Sequence, residues 1–464
     1  MPGIKTLTWI LVVLNVIWYR SGDLIKNCIF DRSPFTRGYI ANGDYASDCK
    51  VAIRDAERQE EMSSCEDGSF WELHNAQGKV VERPVIVSCD PGRRGWNTVM
   101  GPLRNPDPHG ALWLYVPQNR ADKGQGKPQI LSSKIAANKA HRIVLKNYPA
   151  NHDFHPLGVE IWPSHAGNSS NVYVINHARE RTVVEQFVIN PSTPTEAEHV
   201  RTISSFHFLS ANGLALTSPD AFYVSNDHLL TRRLPIVGHV LPVAESLLAL
   251  PLGFVSHITL NKHTHAGGDA IAKQTFTKMF IPFPNGVAVS SSGSEVAIVS
   301  TSTNQILIYG RDPLTDKLTH KKDTVIVPFS PDNAHYAPSL EGEGEDIIVA
   351  GHPNFPDLTK VAASKAGATS ASWVVAIVPK PSSRQGANTQ FDLEAPVSTS
   401  SKLKTDGEGW TLKTLFQSDG VEESGGFSGS TTGLRDPVTG TFYVAGLYDK
   451  GGFMVCEPSS KATK

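Results

Sequence analysis

From about residue 60 onward the chain is a succession of short apolar runs separated by Gly, Pro, Asn and Asp, with few stretches long enough for a helix, and this confines it to an all-β fold. Strand patterns fall at 83–88, 111–116, 142–145, 172–175, 183–189, 221–224, 295–300 and 305–309, and again at 346–350, 373–378, 410–416, 441–445 and 453–456. A weak repeat connects them. Asn212-Gly213-Leu214-Ala215-Leu216 and Asn285-Gly286-Val287-Ala288-Val289 each lead into a turn and a second apolar strand, and His155-Pro156-Leu157-Gly158-Val159-Glu160-Ile161 opens a similar unit. Repeated strand-turn-strand units predict propeller blades. With 38 Gly and 31 Pro in 464 residues the chain is rich in turns, yet far from a collagen-like or low-complexity polymer.

One region departs from the pattern. Residues 234–260 carry a single charged side chain, Glu245, and 243–250 have helical spacing, which predicts a helix over one face of the sheets, as a buried connection or as an apolar surface for lipid or substrate. Residues 380–404, rich in Ser, Pro, Gly, Asn and Gln, read as an exposed loop insertion spanning 379–405, because strand patterning resumes on both sides. Residues 261–274 read as another surface insertion. At the N-terminus, Lys5 precedes an apolar run over 7–19, the length of a signal-peptide core and short of the ~20 residues of a spanning helix. Tyr19-Arg20-Ser21-Gly22 lacks a small-x-small cleavage pattern. Residues 1–22 are therefore expected to be a signal sequence or a retained hydrophobic anchor, 23–48 an N-terminal extension and 49–458 the propeller. The sequon Asn168-Ser169-Ser170 agrees with a glycosylated protein of the secretory pathway, secreted or anchored through 1–22.

Several function classes drop out. The 43 basic and 45 acidic residues leave a formal net charge of −2, so no nucleic-acid partner is expected. The five cysteines, Cys28, Cys49, Cys65, Cys89 and Cys456, include no CxxC pair that would signal zinc or redox exchange. Gly425-Gly426-Phe427-Ser428-Gly429 is not a nucleophile elbow and sits among strands, which argues against a serine hydrolase. His263 and His265 share a strand face but have no carboxylate or cysteine nearby, and read as a solvated loop.

The informative residues are acids and amides. Glu66-Asp67, Asn212, Asn285 and Asp332-Asn333 each lie beside a glycine or at a strand edge, where a propeller brings loops and inner strands to its central tunnel. Oxygen-only ligands converging there suit Ca²⁺. Taken singly, each Asn-Gly is a turn signal first.

Taken together, the segments resemble the paraoxonase/arylesterase family, calcium-dependent lactonases built as six-bladed β-propellers, in a divergent, fungal-type form. The matching pieces are Cys65-Glu66-Asp67-Gly68, Phe154-His155-Pro156-Leu157-Gly158-Val159, Val174-Ile175-Asn176-His177, Ala211-Asn212-Gly213-Leu214, Tyr223-Val224-Ser225-Asn226-Asp227-His228, Phe283-Pro284-Asn285-Gly286-Val287, Asp332-Asn333 and Gly351-His352-Pro353-Asn354, in family order. The resemblance implies an all-β six-bladed propeller with a few short helices over its top face. It also implies one catalytic Ca²⁺ held by Glu66, Asn212, Asn285, Asp332 and Asn333, which polarises the carbonyl of a lactone or aryl ester for attack by water. A disulfide between Cys49 and Cys456 would close the ring; Cys65 and Cys89 are candidates for a second bridge, with Cys28 left over.

Two departures from the family pattern matter. The family places a pair of histidines beside the metal; His177 matches the second member, but the first is Leu157, which cannot move protons. His155, two positions earlier and on the same face of an extended strand, is the candidate replacement base, with Glu66 as its competitor. The ligands of the family's second, structural calcium map to Asp67, the carbonyl of Val159 and Gly213, and loss of an acid at 213 predicts a weak or absent site. His228 and His352 fall in family-like motifs near the tunnel mouth, as substrate contacts or as support. The expected partner is a small-molecule lactone or ester, with a membrane or lipid surface as a further candidate. The alternatives are a non-hydrolytic step on a secondary metabolite at the same calcium, and a non-catalytic propeller that binds lipid or protein.

Overall fold

In the strand Ser170–Asn176, Val172 and Val174 point to one side of the sheet and Tyr173 and Ile175 to the other, and the computed structural model buries both sets, in different apolar clusters. That double burial is why the middle strands read as continuous Val-Tyr-Val-Ile runs rather than as alternating apolar and polar residues. The structure describes residues 3–25, 29, 39–41, 49–54, 61–118, 130–262, 269–340, 343–380 and 409–458.

Among the described residues, six sheets are each built on four antiparallel strands, and a seventh, small sheet joins Leu73–His74 to Val80–Glu82 and Ser164–His165. The first is Cys65–Phe70, Val85–Cys89, Ala111–Val116 and Lys139–Arg142; the second is Pro156–Ile161, Ser170–Asn176, Val183–Ile189 and Glu196–Ile203. The third is Ala211–Ser218, Ala221–Asn226, Gly253–Leu260 and Ile271–Ile281; the fourth is Pro284–Val289, Glu295–Ser300, Gln305–Arg311 and Leu318–Ile326. Ser330–Pro338, Glu345–His352, Ser372–Pro379 and Trp410–Ser418 make the fifth. In the sixth, Ser430–Arg435, Phe442–Gly446 and Phe453–Cys456 take their outer strand, Cys49–Val51, from the other end of the chain. Val144–Lys146 adds to the second sheet and Tyr39–Ala41 to the fifth, so the sheets extend into the expected 23–48 extension. The first strands of the six sheets touch in a closed cycle, each meeting the one before and the one after. Apolar clusters fill the gaps between neighbouring sheets, from Leu112, Val159 and Phe187 between the first and second to Leu434, Tyr443 and Trp113 between the sixth and first.

The disulfides Cys49–Cys456 and Cys65–Cys89 both form; Cys28, His263 and His265 and most of the 379–405 insertion lie outside the described residues. The pattern at 142–145 straddles two short strands that separate at Ile143. Two expectations need correction. The helix expected at 243–250 runs over Leu241–Leu247, and Gly253–Leu260 is a strand whose lack of charge reflects burial on both faces. Residues 271–274, expected in a surface insertion, begin the strand Ile271–Ile281. The N-terminal apolar run is helical over Ile4–Leu24, with Trp9, Leu11 and Trp18 exposed. No described helix is long and apolar enough to cross a membrane.

The second sheet is fastened by one acid. Glu185 is fully buried and accepts from His152 Nε2 (2.7 Å), Asn176 Nδ2 (2.9 Å), His199 Nε2 (3.0 Å) and Thr202 Oγ1 (2.7 Å). Burial alone would raise this carboxyl, but the hydrogen bonds bring it down to about 2. A depressed carboxylate stabilises the fold above its unfolded value, and the contribution fades as pH falls through about 2. Glu185→Gln is expected to cost about 3 kcal/mol at neutral pH, because it leaves buried donors without their charged acceptor. Urea unfolding of both proteins at pH 7 and pH 3 checks this, and equal midpoints would refute it.

Candidate functional site

All six first strands lose register at the same level. Pairing is interrupted between Cys65 and Asp67, Pro156 and Val159, Ala211 and Leu214, Pro284 and Val287, Pro331 and Ala334, and Ser430 and Thr432. A bulge releases a residue from the ladder and re-aims its side chain. The residues released are Glu66, Leu157 with Gly158, Asn212 with Gly213, Asn285 with Gly286, Asp332 with Asn333, and Thr431, so the expected ligands sit on a ring of bulges. Carbonyls at and beside the bulges are satisfied by hydroxyls of the neighbouring sheet: Ser88 donates to Leu157 O, Ser225 to Asn285 O, Thr301 to Pro331 O and Thr432 to Glu66 O. The glycines have a packing reason, since a Cβ at Gly213 would lie 3.0 Å from the Cα of Gly286.

Glu66, Asn212, Asn285 and Asp332 line one cavity of about 80 Å³. Its other walls include Asp90, Arg93, His155, His177, Asp227 and His352, and an apolar side of Trp96, Met100, Leu157, Phe283, Phe355 and Leu358. Ile25 and Ile29 pack on the Met100, Phe355 and Leu358 side, which places the N-terminal segment at the apolar rim.

On the polar side several buried oxygens have no partner. Asn333 Nδ2 donates to Glu66 Oε1 (3.0 Å), but Glu66 Oε2 is buried without a partner. Asn212 Nδ2 donates to Asp227 Oδ2 (3.2 Å), which leaves Asn212 Oδ1 buried and unpartnered, as is Asn285 Oδ1. Asp332 Oδ2 is 2.7 Å from His352 Nε2. Burial pushes the Glu66 carboxyl well above its usual range, helped by the charges of Asp67 and Asp332 and opposed by Arg93 and the Asn333 hydrogen bond. Buried oxygens without donors are costly unless a cation faces them. Among the described residues no group of three or more His, Cys, Asp and Glu side chains could hold a metal. The set here is instead two carboxylates and two amide oxygens, the hard ligands that calcium takes, and in that respect it fits the ion.

Other expected residues divide. Asn333 stands beside the cavity and orients Glu66, its amide also reaching Thr432 Oγ1 at 3.1 Å. Asp67 is not brought into the cavity. Its Oδ1 accepts from Gly68 N (2.8 Å) and lies 3.0 Å from Thr432 Oγ1 and 3.4 Å from His335 Nε2, while Oδ2 accepts from Val159 N (3.1 Å). Donors surround this carboxylate, and a side chain at Gly213 has no room, so these residues do not fit a second cation.

The histidines are separated by their partners. His177 Nε2 must donate to Ala211 O (2.7 Å) and its Nδ1 meets Thr98 Oγ1 (2.8 Å); burial draws it down to about 4, so it is neutral with both nitrogens engaged. His228 does not line the cavity: it is fully buried, with Nε2 on Ser246 Oγ. His155 precedes the strand Pro156–Ile161 by one residue, yet both it and Leu157 line the cavity. Its Nδ1 is 3.0 Å from Asp90 Oδ2, and its Nε2 is buried without a partner. Asp90, Arg93 and Trp96 carry no signal in the sequence, where Cys-Asp-Pro-Gly reads as a turn.

A sheet-built, all-β chain with an acidic, amide-rich cavity defines a class; sequence comparison supplies the family. The arylesterase family model matches residues 105–391, and the chain belongs to that family. This supports a hydrolase of the paraoxonase/arylesterase kind. No curated protein matches the chain. Among solved structures, luciferin-regenerating enzyme is similar at 11% identity over 85% of this chain and 92% of its own, with a TM-score of 0.41. The PQQ domain of pyranose dehydrogenase from Coprinopsis cinerea is similar at 9% identity over 93% and 99%, with a TM-score of 0.46. The Malassezia sympodialis allergen Mala s 1 is similar at 7% over 90% and 96%, with a TM-score of 0.38. The two disulfides suit an oxidising secretory environment.

Proposed function

We propose that the protein is a calcium-dependent carboxylic-ester hydrolase acting on lactones or aryl esters, with the six sheets as the blades of a six-bladed propeller. The observation that carries this reading is the convergence of three unpartnered buried oxygens, Glu66 Oε2, Asn212 Oδ1 and Asn285 Oδ1, with Asp332 in one cavity. These four residues would hold Ca²⁺, with Asn333 orienting Glu66. When bound, the ion supplies Lewis-acid polarisation of the substrate carbonyl.

The chain's own residues do the rest. The apolar wall of Trp96, Leu157, Phe283 and Phe355 receives the hydrocarbon part of the substrate and excludes bulk water. His155 Nε2, the free nitrogen, takes the proton of the attacking water and returns it to the departing alkoxide or phenolate. His177, neutral and tied at both nitrogens, holds the Ala211 carbonyl and with it the start of the strand that carries Asn212.

The same reading places the protein in the secretory pathway, glycosylated at Asn168, which stands exposed in a turn. The apolar side chains on Ile4–Leu24, such as Trp9 and Trp18, are the surface a leader or lipid contact would use. The test is hydrolysis of a panel of aliphatic and aromatic lactones and phenyl esters, with excess calcium and then with chelator. Turnover that needs calcium is expected for at least one class; chelator-insensitive turnover, or none, would sink the proposal. Calorimetric titration is expected to give one calcium per chain, since Asp67 is already saturated with donors.

A further inference from the structure

Asp90 and His155 are separated by 65 residues and meet in the cavity wall, each about 1% exposed at the side chain. Asp90 follows the strand Val85–Cys89, and a turn holds it there: its Oδ1 accepts from Gly92 N (2.9 Å) and its backbone oxygen from Arg93 N (3.1 Å). Oδ2 is left for His155 Nδ1. The disulfide Cys65–Cys89 joins the two residues that directly precede Glu66 and Asp90, so a covalent link ties the strand carrying the expected ligand to the turn carrying the acid.

His155 is pinned on every side. Its N–H donates to Asn176 Oδ1 (2.8 Å), the same Asn176 that Glu185 anchors, and its carbonyl accepts from His177 N (3.0 Å). Arg93 holds the next carbonyl, that of Pro156, at 2.7 Å. The imidazole stacks on Trp96, with ring centres 5.6 Å apart and planes 28° apart. A carboxylate only accepts, so Nδ1 carries the hydrogen, and the lone pair belongs to Nε2, the buried nitrogen that no protein group meets.

We propose that Asp90 is the positioning residue of the reaction: it fixes the His155 tautomer and aims its Nε2 lone pair into the cavity, an acid–histidine pair standing where Leu157 leaves no second histidine. The step it serves rests on the hydrolase reading; the geometry does not. As the water oxygen bonds to the carbonyl carbon, its proton passes to Nε2; when the acyl C–O bond breaks, that proton passes to the departing oxygen, and only water is consumed. The Asp90 carboxylate, held on Nδ1–H, favours the imidazolium formed between the two transfers.

Asp90→Asn tests this, because one amide oxygen cannot accept from both Gly92 N and His155 Nδ1. If the NH₂ group faces the ring, Nδ1 becomes an acceptor, the hydrogen moves to Nε2 and the base is lost. The expected result is a fall in kcat of about 100-fold or more with KM nearly unchanged. Imidazole ¹⁵N NMR of His155 should show Nδ1–H in the wild type and Nε2–H in the variant. Melting temperature with and without calcium, measured on the same samples, separates this from loss of fold or metal. A variant with wild-type kcat, or a wild-type ring already protonated at Nε2 alone, overturns the proposal. Wild-type protein inert towards every ester and lactone, with Nδ1–H still observed, would remove the hydrolase reading and leave the Asp90–His155 pairing supported.

Discussion

Glu66→Gln is expected to weaken calcium binding by about 100-fold or more and to lower ester or lactone turnover by about three orders of magnitude at limiting calcium. The substitution keeps the shape of the side chain and removes one of the two negative charges expected at the ion. It also creates a hydrogen-bond conflict. Asn333 Nδ2 donates to Glu66 Oε1, so an amide at 66 must turn its oxygen to Asn333, and its NH₂ then points where Oε2 would face the proposed ion. The alternative orientation sets two donors against each other.

The same variant should behave in opposite ways with and without metal. Burial holds the Glu66 carboxyl well above its usual range, so the metal-free fold keeps its proton longer than the unfolded chain does. Its contribution to metal-free stability therefore declines as pH rises from the unfolded value through the folded one. Gln cannot ionise and escapes that decline, so chelated Glu66→Gln is expected to melt above the chelated wild type at pH 8. Calcium reverses the order. Because binding must displace the Glu66 proton, affinity increases with pH, and an ion at 100 times its Kd adds about 2.7 kcal/mol, roughly 3 °C for a chain of this length. Calorimetry at pH 5.5 and pH 8, with calcium and with chelator, reads all four states. Identical calcium shifts in both proteins would remove Glu66 from the ligand set.

Most of the sheet architecture was legible because burial on both faces leaves an unmistakable apolar run: 111–116, 183–189, 295–300 and 453–456 match the observed strands at both ends. The same cause left 253–260 unassigned, since a charge-poor stretch can be given to strand or helix only from its neighbours. Asn212-Gly213 and Asn285-Gly286 show how far local signals reach. Asn-Gly normally marks a hairpin turn, but here it marks a bulge inside a first strand, and only the repetition pointed to the tunnel. Position 177 was singled out in the sequence and does line the cavity, but its engagement with Thr98 and Ala211 was not legible, since those partners lie 79 and 34 residues away. Asp90 was invisible for the same reason. Its own segment is a sufficient turn, and its purpose appears only when residue 155 is brought beside it.

The second large effect is on stability. Opening the Cys49–Cys456 bridge with a pair of serines is expected to cost about 5 kcal/mol, because the bridge spans 407 residues and loop-closure entropy grows with the length closed. The two cysteines face each other across the pairing of Cys49–Val51 with Phe453–Cys456, where the two ends of the chain share a sheet. Without the bridge, a three-residue strand must hold that position by hydrogen bonds and packing alone, and the melting temperature should drop by about 5–6 °C. Below the transition, kcat should be nearly unchanged, since neither cysteine lines the cavity. Cys65–Cys89 should show the reverse balance. It closes only 24 residues, worth about 3 kcal/mol, but it joins the strands that present Glu66 and Asp90. Its serine pair is expected to lose less stability and far more turnover. Unfolding midpoints and kcat measured on the two serine pairs side by side test both halves, and a larger loss of stability from the shorter bridge would mean that ring closure does not dominate the fold.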